Sequence, residues 1–395
     1  MSPYLKALPI IDIFRLFLHL GLTAYGGLAM IEPMRRRVVK EKGWLSQSEF
    51  LDGLALCQLA PGATVVQLAT YVGYRLRGAP GALVAAAGFI LPAFLLMWGL
   101  SWLYFRFGDL TWVKALSRGF NAVVIALLLQ ALWGLGRTLG RDWPDLVISL
   151  LAFAGFWFQV NYFLVFLSAA ALRSFLSMRF FAAAPSPAAV FQAPRPEVRV
   201  ILTQVVVSLG AVAAAVWGLY HGDLILGQMA LIFLKIGVIS FGGGLVMIPI
   251  LQWEVVDHLG WLTVRQFLDG ILLGFVTPGP MIILATFVGY HMKGFLGGLL
   301  ATIAVFLPPI LIIVFLSPWY QHLKESRLMR PAIQGILVAM VGMLALVCMQ
   351  MGRAALTDLK DLGLLSGAAI ALMGLRINLL WVLAAAACLS LYWYG

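Results

Sequence analysis

The sequence predicts an all-α polytopic membrane protein made of two homologous helical halves in an inverted-topology repeat, each with a helix broken at Pro-Gly. Three observations predict it. The first is composition: 62% of the 395 residues are hydrophobic, 11% are charged and the mean hydropathy is +0.97. Apolar stretches near the bilayer-spanning length of about 20 residues follow one another through both halves. The second is a repeat. GYRLRGAPGALVAAAGFILP, from Gly73 to Pro92, returns as GYHMKGFLGGLLATIAVFLP from Gly289 to Pro308, and Trp44-Leu45-Ser46 with Phe50-Leu51-Asp52-Gly53 returns as Trp261-Leu262-Thr263 with Phe267-Leu268-Asp269-Gly270. The third is loop charge. Arg35 to Lys42 is strongly basic, whereas the matching Trp253 to Gly260 holds Glu254, Asp257 and His258. Opposite bias in equivalent loops places them on opposite membrane faces.

The elements follow in order. Ile10 to Ile31 is long and Gly-rich and runs into the basic loop, which suits a first span rather than a cleaved signal peptide. Further spans are expected at Glu49 to Tyr74 (interrupted at Pro61), Gly81 to Phe105, Leu116 to Leu135 and Leu146 to Leu172. The second half repeats them at Met229 to Met247, Phe267 to Tyr290, Gly297 to Phe315, Ile333 to Met351 and Leu362 to Trp393. The polar stretch from Arg173 to Arg199, with four prolines among its arginines, reads as a cytoplasmic linker. The halves are then residues 1–178 and 200–395, joined by 179–199. Val198 to Leu219 has no upstream counterpart and reads either as an extra span or as an interfacial helix. The stretches around Asn161 and Arg376-Ile377-Asn378 leave open two short half-helices each, so the total is 10 to 12 spans or more.

Each broken segment opens on the same signal. Ser46 with Glu49 and Thr263 with Gln266 fit the capping box. Pro61-Gly62 and Pro278-Gly279-Pro280 then interrupt the helix, because proline lacks the amide and clashes with the preceding turn. In hydrocarbon such a break is tolerated where the freed backbone faces protein or a watery cavity, and a restarted helix presents unpaired amides to an anion. Gly26-Gly27 and Gly242-Gly243-Gly244 occupy matching places on the first helix of each half and permit close approach of a helix or a ligand.

Polar residues inside apolar spans come next. Lys235 and its counterpart His19 stand within first helices, as ligand or carrier groups or as a snorkelling side chain. Asp52 and Asp269 are identically placed before the breaks and suit interhelical hydrogen bonding or proton carriage. Arg75, Arg77 and Lys293 close the broken segments and are candidates for feeding or gating an anion path. Gln58, Thr64, Gln67, Thr277 and Thr286 lie close enough to the breaks to donate to ligand oxygens or to tie helices together. Glu32, a further proton candidate, and Glu254 follow the first spans, where each has arginines on its own side.

Other chemistry is disfavoured. Cys57, Cys348 and Cys388 are far apart in apolar runs, and the five histidines form no HExxH, so neither a metal nor another cofactor is expected. The net charge of +11 falls between hydrophobic segments, which assigns it to topology and not to nucleic acid. GxSxG is also missing, which argues against a membrane-embedded enzyme.

At YGGLAMI and FGGGLVMI, WLSQSEFLDG and WLTVRQFLDG, LAPGA and TPGP, ATYVGY and ATFVGY, the chain resembles the chromate ion transporter family, in its long form with two halves. The resemblance implies a multi-pass protein of the bacterial inner membrane exporting chromate, driven by proton gradient or membrane potential, and so chromate resistance. It carries the motif to Gly26, Gly27, Pro61, Gly62, Gly242, Gly243, Gly244, Pro278, Gly279 and Pro280. The first half departs from it with Ala63 in place of the second proline. Sulfate or a related oxyanion matches chromate in size and charge and is the alternative substrate. A homodimer is left open.

Overall fold

The computed structural model describes residues 8–23, 30–108, 110–139, 142–180, 198–240, 247–319 and 329–395. Every regular element among them is helical: α1 Ile10–Thr23, α2 Ile31–Arg35, α3 Gln47–Leu59, α4 Thr64–Phe107, α5 Thr111–Leu139, α6 Trp143–Trp157, α7 Tyr162–Phe180, α8 Val198–Gly222, α9 Leu224–Ile239, α10 Ile248–Gln252, α11 Val264–Val276, α12 Leu284–Leu316, α13 Met329–Ala355, α14 Leu359–Ala369 and α15 Leu379–Tyr394. Five described segments are long and apolar enough to cross a bilayer: Thr64–Phe107, Thr111–Arg137, Thr203–Gly222, Met281–Leu316 and Pro331–Ala355. The chain is a multi-pass helical membrane protein.

The repeat is built into the backbone and not only into the letters. α2 and α10 each run into one π-helical turn, Arg36–Glu41 and Trp253–His258, and each turn is followed by a glycine at positive φ, Gly43 at 60° and Gly260 at 61°. α4 and α12 both kink between a cation and a glycine. Arg77 and Lys293 take φ of −141° and −145°, and Gly78 and Gly294 take φ of 64° and 59°, a conformation glycine adopts without a steric penalty. On either side of the kink the chain folds back so closely that a methyl on Gly73 would strike the Gly81 carbonyl, and one on Gly289 the Gly297 carbonyl.

The two expected final spans are each two helices. Leu146 to Leu172 is divided between α6 and α7, with Gln159 at φ 57°, and Leu362 to Trp393 between α14 and α15, with Arg376 at φ 54°. Asn161 accepts from the Phe163 amide at 2.9 Å and Asn378 from the Leu380 amide at 3.0 Å. Each asparagine restarts a helix at its N-cap, and apolar neighbours such as Phe158 and Val160 hide the turn in the hydropathy profile. Val198 to Leu219 lies in a single helix, α8, whose apolar window has no fully buried residue. Residues 181–197, most of the expected linker, lie outside the described residues.

Two compact units draw on both halves. The first comprises Met1–Trp98, Ala184–Met247 and Thr277–Met329, and the second Gly99–Ala183, Ile248–Val276 and Arg330–Gly395. In the first unit, α1 and α9 lie against the later parts of α4 and α12 through small residues: a methyl on Gly21 would come within 2.5 Å of the Phe89 carbonyl, and one on Gly237 would strike the Val305 carbonyl. In the second unit α5 packs on α11, α14 and α15. Asp361, fully buried, accepts from Arg118 Nε at 3.1 Å and Tyr394 at 2.7 Å. Asp145, its counterpart one repeat earlier, is 2.7 Å from Arg173 and accepts from Gln334 at 2.8 Å. Arg118 and Gln334 are themselves repeat equivalents, so each half supplies the partner of the other's buried acid.

Candidate functional site

Both Pro-Gly breaks belong to the first unit. The helices leading to them start as expected. Ser46 Oγ accepts from the Glu49 amide at 3.2 Å while Glu49 returns to the Ser46 amide at 3.0 Å, and Thr263 with Gln266 repeats the exchange at 3.2 and 2.9 Å. α3 then ends at Ala60 in extended conformation, and Gly62 turns the chain at φ 133°. α4 restarts at Thr64 behind Ala63, whose side chain has nothing to cap with. The Gln67 amide donates to the Ala63 carbonyl at 2.9 Å, so the amides of Thr64, Val65 and Val66 precede the first intrahelical bond. The second break turns at Gly279, φ 120°, and restarts differently, through a 3₁₀ turn Met281–Ile283 in which Ile283 N donates to Pro280 O at 3.0 Å.

The first break is closely walled. The Gly62 amide is not free, because it donates to the carbonyl of Ser240, the residue that ends α9. Gln67 Nε2 donates to the Pro61 carbonyl at 2.6 Å. A methyl on Gly62 would lie 2.5 Å from Pro309 Cβ and 2.7 Å from Gln67 Nε2. At the second break a methyl on Gly279 would lie 2.7 Å from Ala93 Cβ. Ala93 and Pro309 each follow an in-helix proline, Pro92 and Pro308, so each half's break is packed by the same point of the other half.

The expected site residues distribute as follows. Thr64 and Thr277 are buried at 4% and 5% exposure, Pro278 and Pro280 are buried, and Pro61 is half-buried. Gln58 is exposed. Lys235 is half-buried on α9, and His19 is exposed, its Nε2 3.3 Å from Arg37 Nη2. Thr286 bonds Thr302 at 2.6 Å, which makes it a tie between helix turns. Glu32 pairs with Arg35 at 2.5 Å, and Glu254 accepts from Tyr162 at 2.5 Å. Arg75 is held by Glu49 at 2.5 Å, and Lys293 by Asp223 at 2.6 Å, whereas Arg77 is exposed at its kink. The Lys293 ammonium, followed by the Leu226 and Ile225 amides, holds the Asp223 carboxyl below the usual range.

The two repeat-related aspartates differ. Asp52 is half-buried on α3. Asp269, in the second unit, is buried and accepts from Tyr104 at 2.7 Å, with Ser117 as a further hydrogen-bonding neighbour. Gly26, Gly27, Gly242, Gly243 and Gly244 lie outside the described residues. Sequence reasoning missed Ser240, which is 2% exposed with no hydrogen-bond partner for Oγ among the described residues. Its position immediately before the aromatic-glycine run was the signal that could have found it.

The model of the Chromate transporter family matches residues 11–175 and 227–391, one match per half. The chain belongs to this family. The interval between the matches contains the linker and α8, which is why α8 has no upstream counterpart. Members resembling the chain over most of its length include the chromate transport protein of Cupriavidus metallidurans, 30% identical across 87% of this chain and 82% of that one. The probable chromate transport protein of Synechococcus elongatus is 32% identical across 87% and 84%. An uncharacterized transporter of Methanocaldococcus jannaschii is 33% identical across 85% and 83%. No solved structure matches the chain.

Proposed function

We propose that the chain is a secondary-active carrier that moves chromate out of the cell across the bacterial inner membrane and thereby confers chromate resistance. The observation that carries this reading is a pair of Pro-Gly breaks from equivalent points of two halves, gathered in one compact unit of a family member. An uncapped helix start offers amides and partial positive charge to an oxyanion without a fixed countercharge that would have to be released. Moving two negative charges out of an inside-negative cell gains about 4.6 kcal/mol per 100 mV, twice the single-charge figure, so membrane potential can drive export.

A proton moving inward adds to this. Asp269 with Tyr104 is the first candidate carrier, since a buried carboxyl hydrogen-bonded by hydroxyl side chains can exchange a proton with little movement. His19, Glu32 and Asp52 follow. Arg75 and Lys293, each tied to an acid at a kink, are candidate gate residues that release their partners when the kink bends.

Labelled chromate uptake into inverted vesicles, with potential and pH gradient imposed separately, is the test. Uptake that follows potential is expected, and its absence under both gradients removes the carrier reading. Asp269→Asn should abolish the response to the pH gradient while leaving the response to potential; retention of both excludes this residue as the coupling group. Competition by excess sulfate measures how far the site admits other tetrahedral dianions.

A further inference from the structure

We infer that Ser240, the residue that ends α9, is an oxyanion-binding residue at the first break, and that Gln67 positions the loop for it. The inference takes the ligand class from the function proposed above and adds the donor. Two carbonyl oxygens face the turn at Gly62, and an anion there would be repelled by either one. Both are occupied: Pro61 O accepts from Gln67 Nε2 at 2.6 Å, and Ser240 O accepts from the Gly62 amide. With those acceptors covered, the donors at this point among the described residues include the amides of Thr64, Val65 and Val66 at the start of α4 and the hydroxyl of Ser240. That hydroxyl is buried and has no partner among the described residues, a costly arrangement for a polar group unless something else bonds it.

Gln67 has a different part. One N–H of its amide is held by the Pro61 carbonyl, and its Oε1, buried and without a partner among the described residues, is an acceptor. An acceptor cannot ligate an anion, which places the ligand on the Ser240 side of Gly62 and makes Gln67 the residue that screens the Pro61 carbonyl. The arrangement is specific to one break. In the repeat, Leu68 aligns with Leu284 and Gln67 falls opposite the apolar Ile283, and Ser240 falls opposite Ala24. The loop of the first half and the helix end of the second therefore make a ligand position that the second break does not duplicate.

The experiment measures KM for chromate in inverted vesicles and, in parallel, equilibrium binding of labelled chromate and sulfate to the purified full chain. Ser240→Ala should raise KM and Kd about tenfold to a hundredfold, the loss expected for one hydrogen bond to a charged group. Ser240→Thr, which keeps the hydroxyl, should recover most of it. Gln67→Leu should raise KM by baring the Pro61 carbonyl, and Gln67→Glu should raise it further by adding a charge. A packing role alone would lower the amount of folded protein without ordering KM by charge. Unchanged Kd in Ser240→Ala overturns the inference. If the wild type binds oxyanion but carries no chromate, the transport reading fails while the Ser240 comparison still decides the inference; if it binds neither anion, both fall.

Discussion

Alanine at Gly279 is the most direct test of how the breaks are packed, because the structure separates two costs at that position. Gly279 lies at φ 120°, and a backbone held in a region that residues with a Cβ avoid costs on the order of 1–3 kcal/mol. Its new methyl would also lie 2.7 Å from Ala93 Cβ, whereas carbon atoms pack at about 3.5–4.0 Å. Relieving an overlap of about 1 Å against a helix backbone costs typically 1–3 kcal/mol more. Gly279→Ala should therefore destabilise by about 2–6 kcal/mol. Adding Ala93→Gly removes the colliding methyl but leaves the backbone unchanged, so the double variant should regain only the steric part. Gly62→Ala should resist a similar rescue, because its methyl meets both Pro309 and Gln67. Fluorescence-detected size-exclusion chromatography after graded heating reads all four proteins, with chromate uptake as the second readout. A Gly279→Ala melting profile that matches wild type, or a double variant no better than the single, refutes the account.

Two further outcomes follow from ion pairs. Asp361→Asn leaves Arg118 with Asp358 as its remaining carboxylate in a network that also includes Tyr394; breaking a buried pair costs about 3–5 kcal/mol, and because Arg118 is 31% exposed and keeps Asp358 the loss should sit at or below the lower end, read as a fall in thermal stability. Asp223, in the turn between α8 and α9, has its carboxyl lowered by Lys293, so its contribution is complete above the ordinary carboxylate range and is lost as pH falls through the lowered value. The stability gap between wild type and Asp223→Asn should therefore be present at neutral pH, shrink on strong acidification and narrow in high salt; a gap that widens in acid contradicts the pairing.

Much of the backbone was legible in the sequence because the duplication marks every irregularity twice. Gly78 and Gly294, the capping pairs at Ser46 and Thr263, and the Pro-Gly turns are local signals, set by residues within a turn of one another. What stayed hidden depends on distance. Asp145 and Asp361 read as ordinary polar residues until Gln334 and Arg118, well over a hundred residues away, are placed beside them. The divided final spans were legible only as one of two open readings, because hydropathy averages over a four-residue turn while Asn161 and Asn378 carry the capping signal. Ser240 and Gln67 were invisible as a pair for a further reason: hydrogen bonds to Gly62 and Pro61 fix their roles, and a sequence records neither which carbonyl is covered nor which hydroxyl is left over.

The interleaving of the two halves also constrains biogenesis. The first compact unit cannot close until Thr277–Met329 has emerged, and some 180 residues separate that stretch from Trp98. At translation speeds of about 5–20 residues per second, the early helices wait on the order of 10–40 s beside the insertion machinery before their partners arrive. Until residue 240 is made, the turn at Pro61 and Gly62 lacks both Ser240 and Pro309, so nascent chains stalled before that point should be preferred clients of membrane chaperones and quality-control proteases.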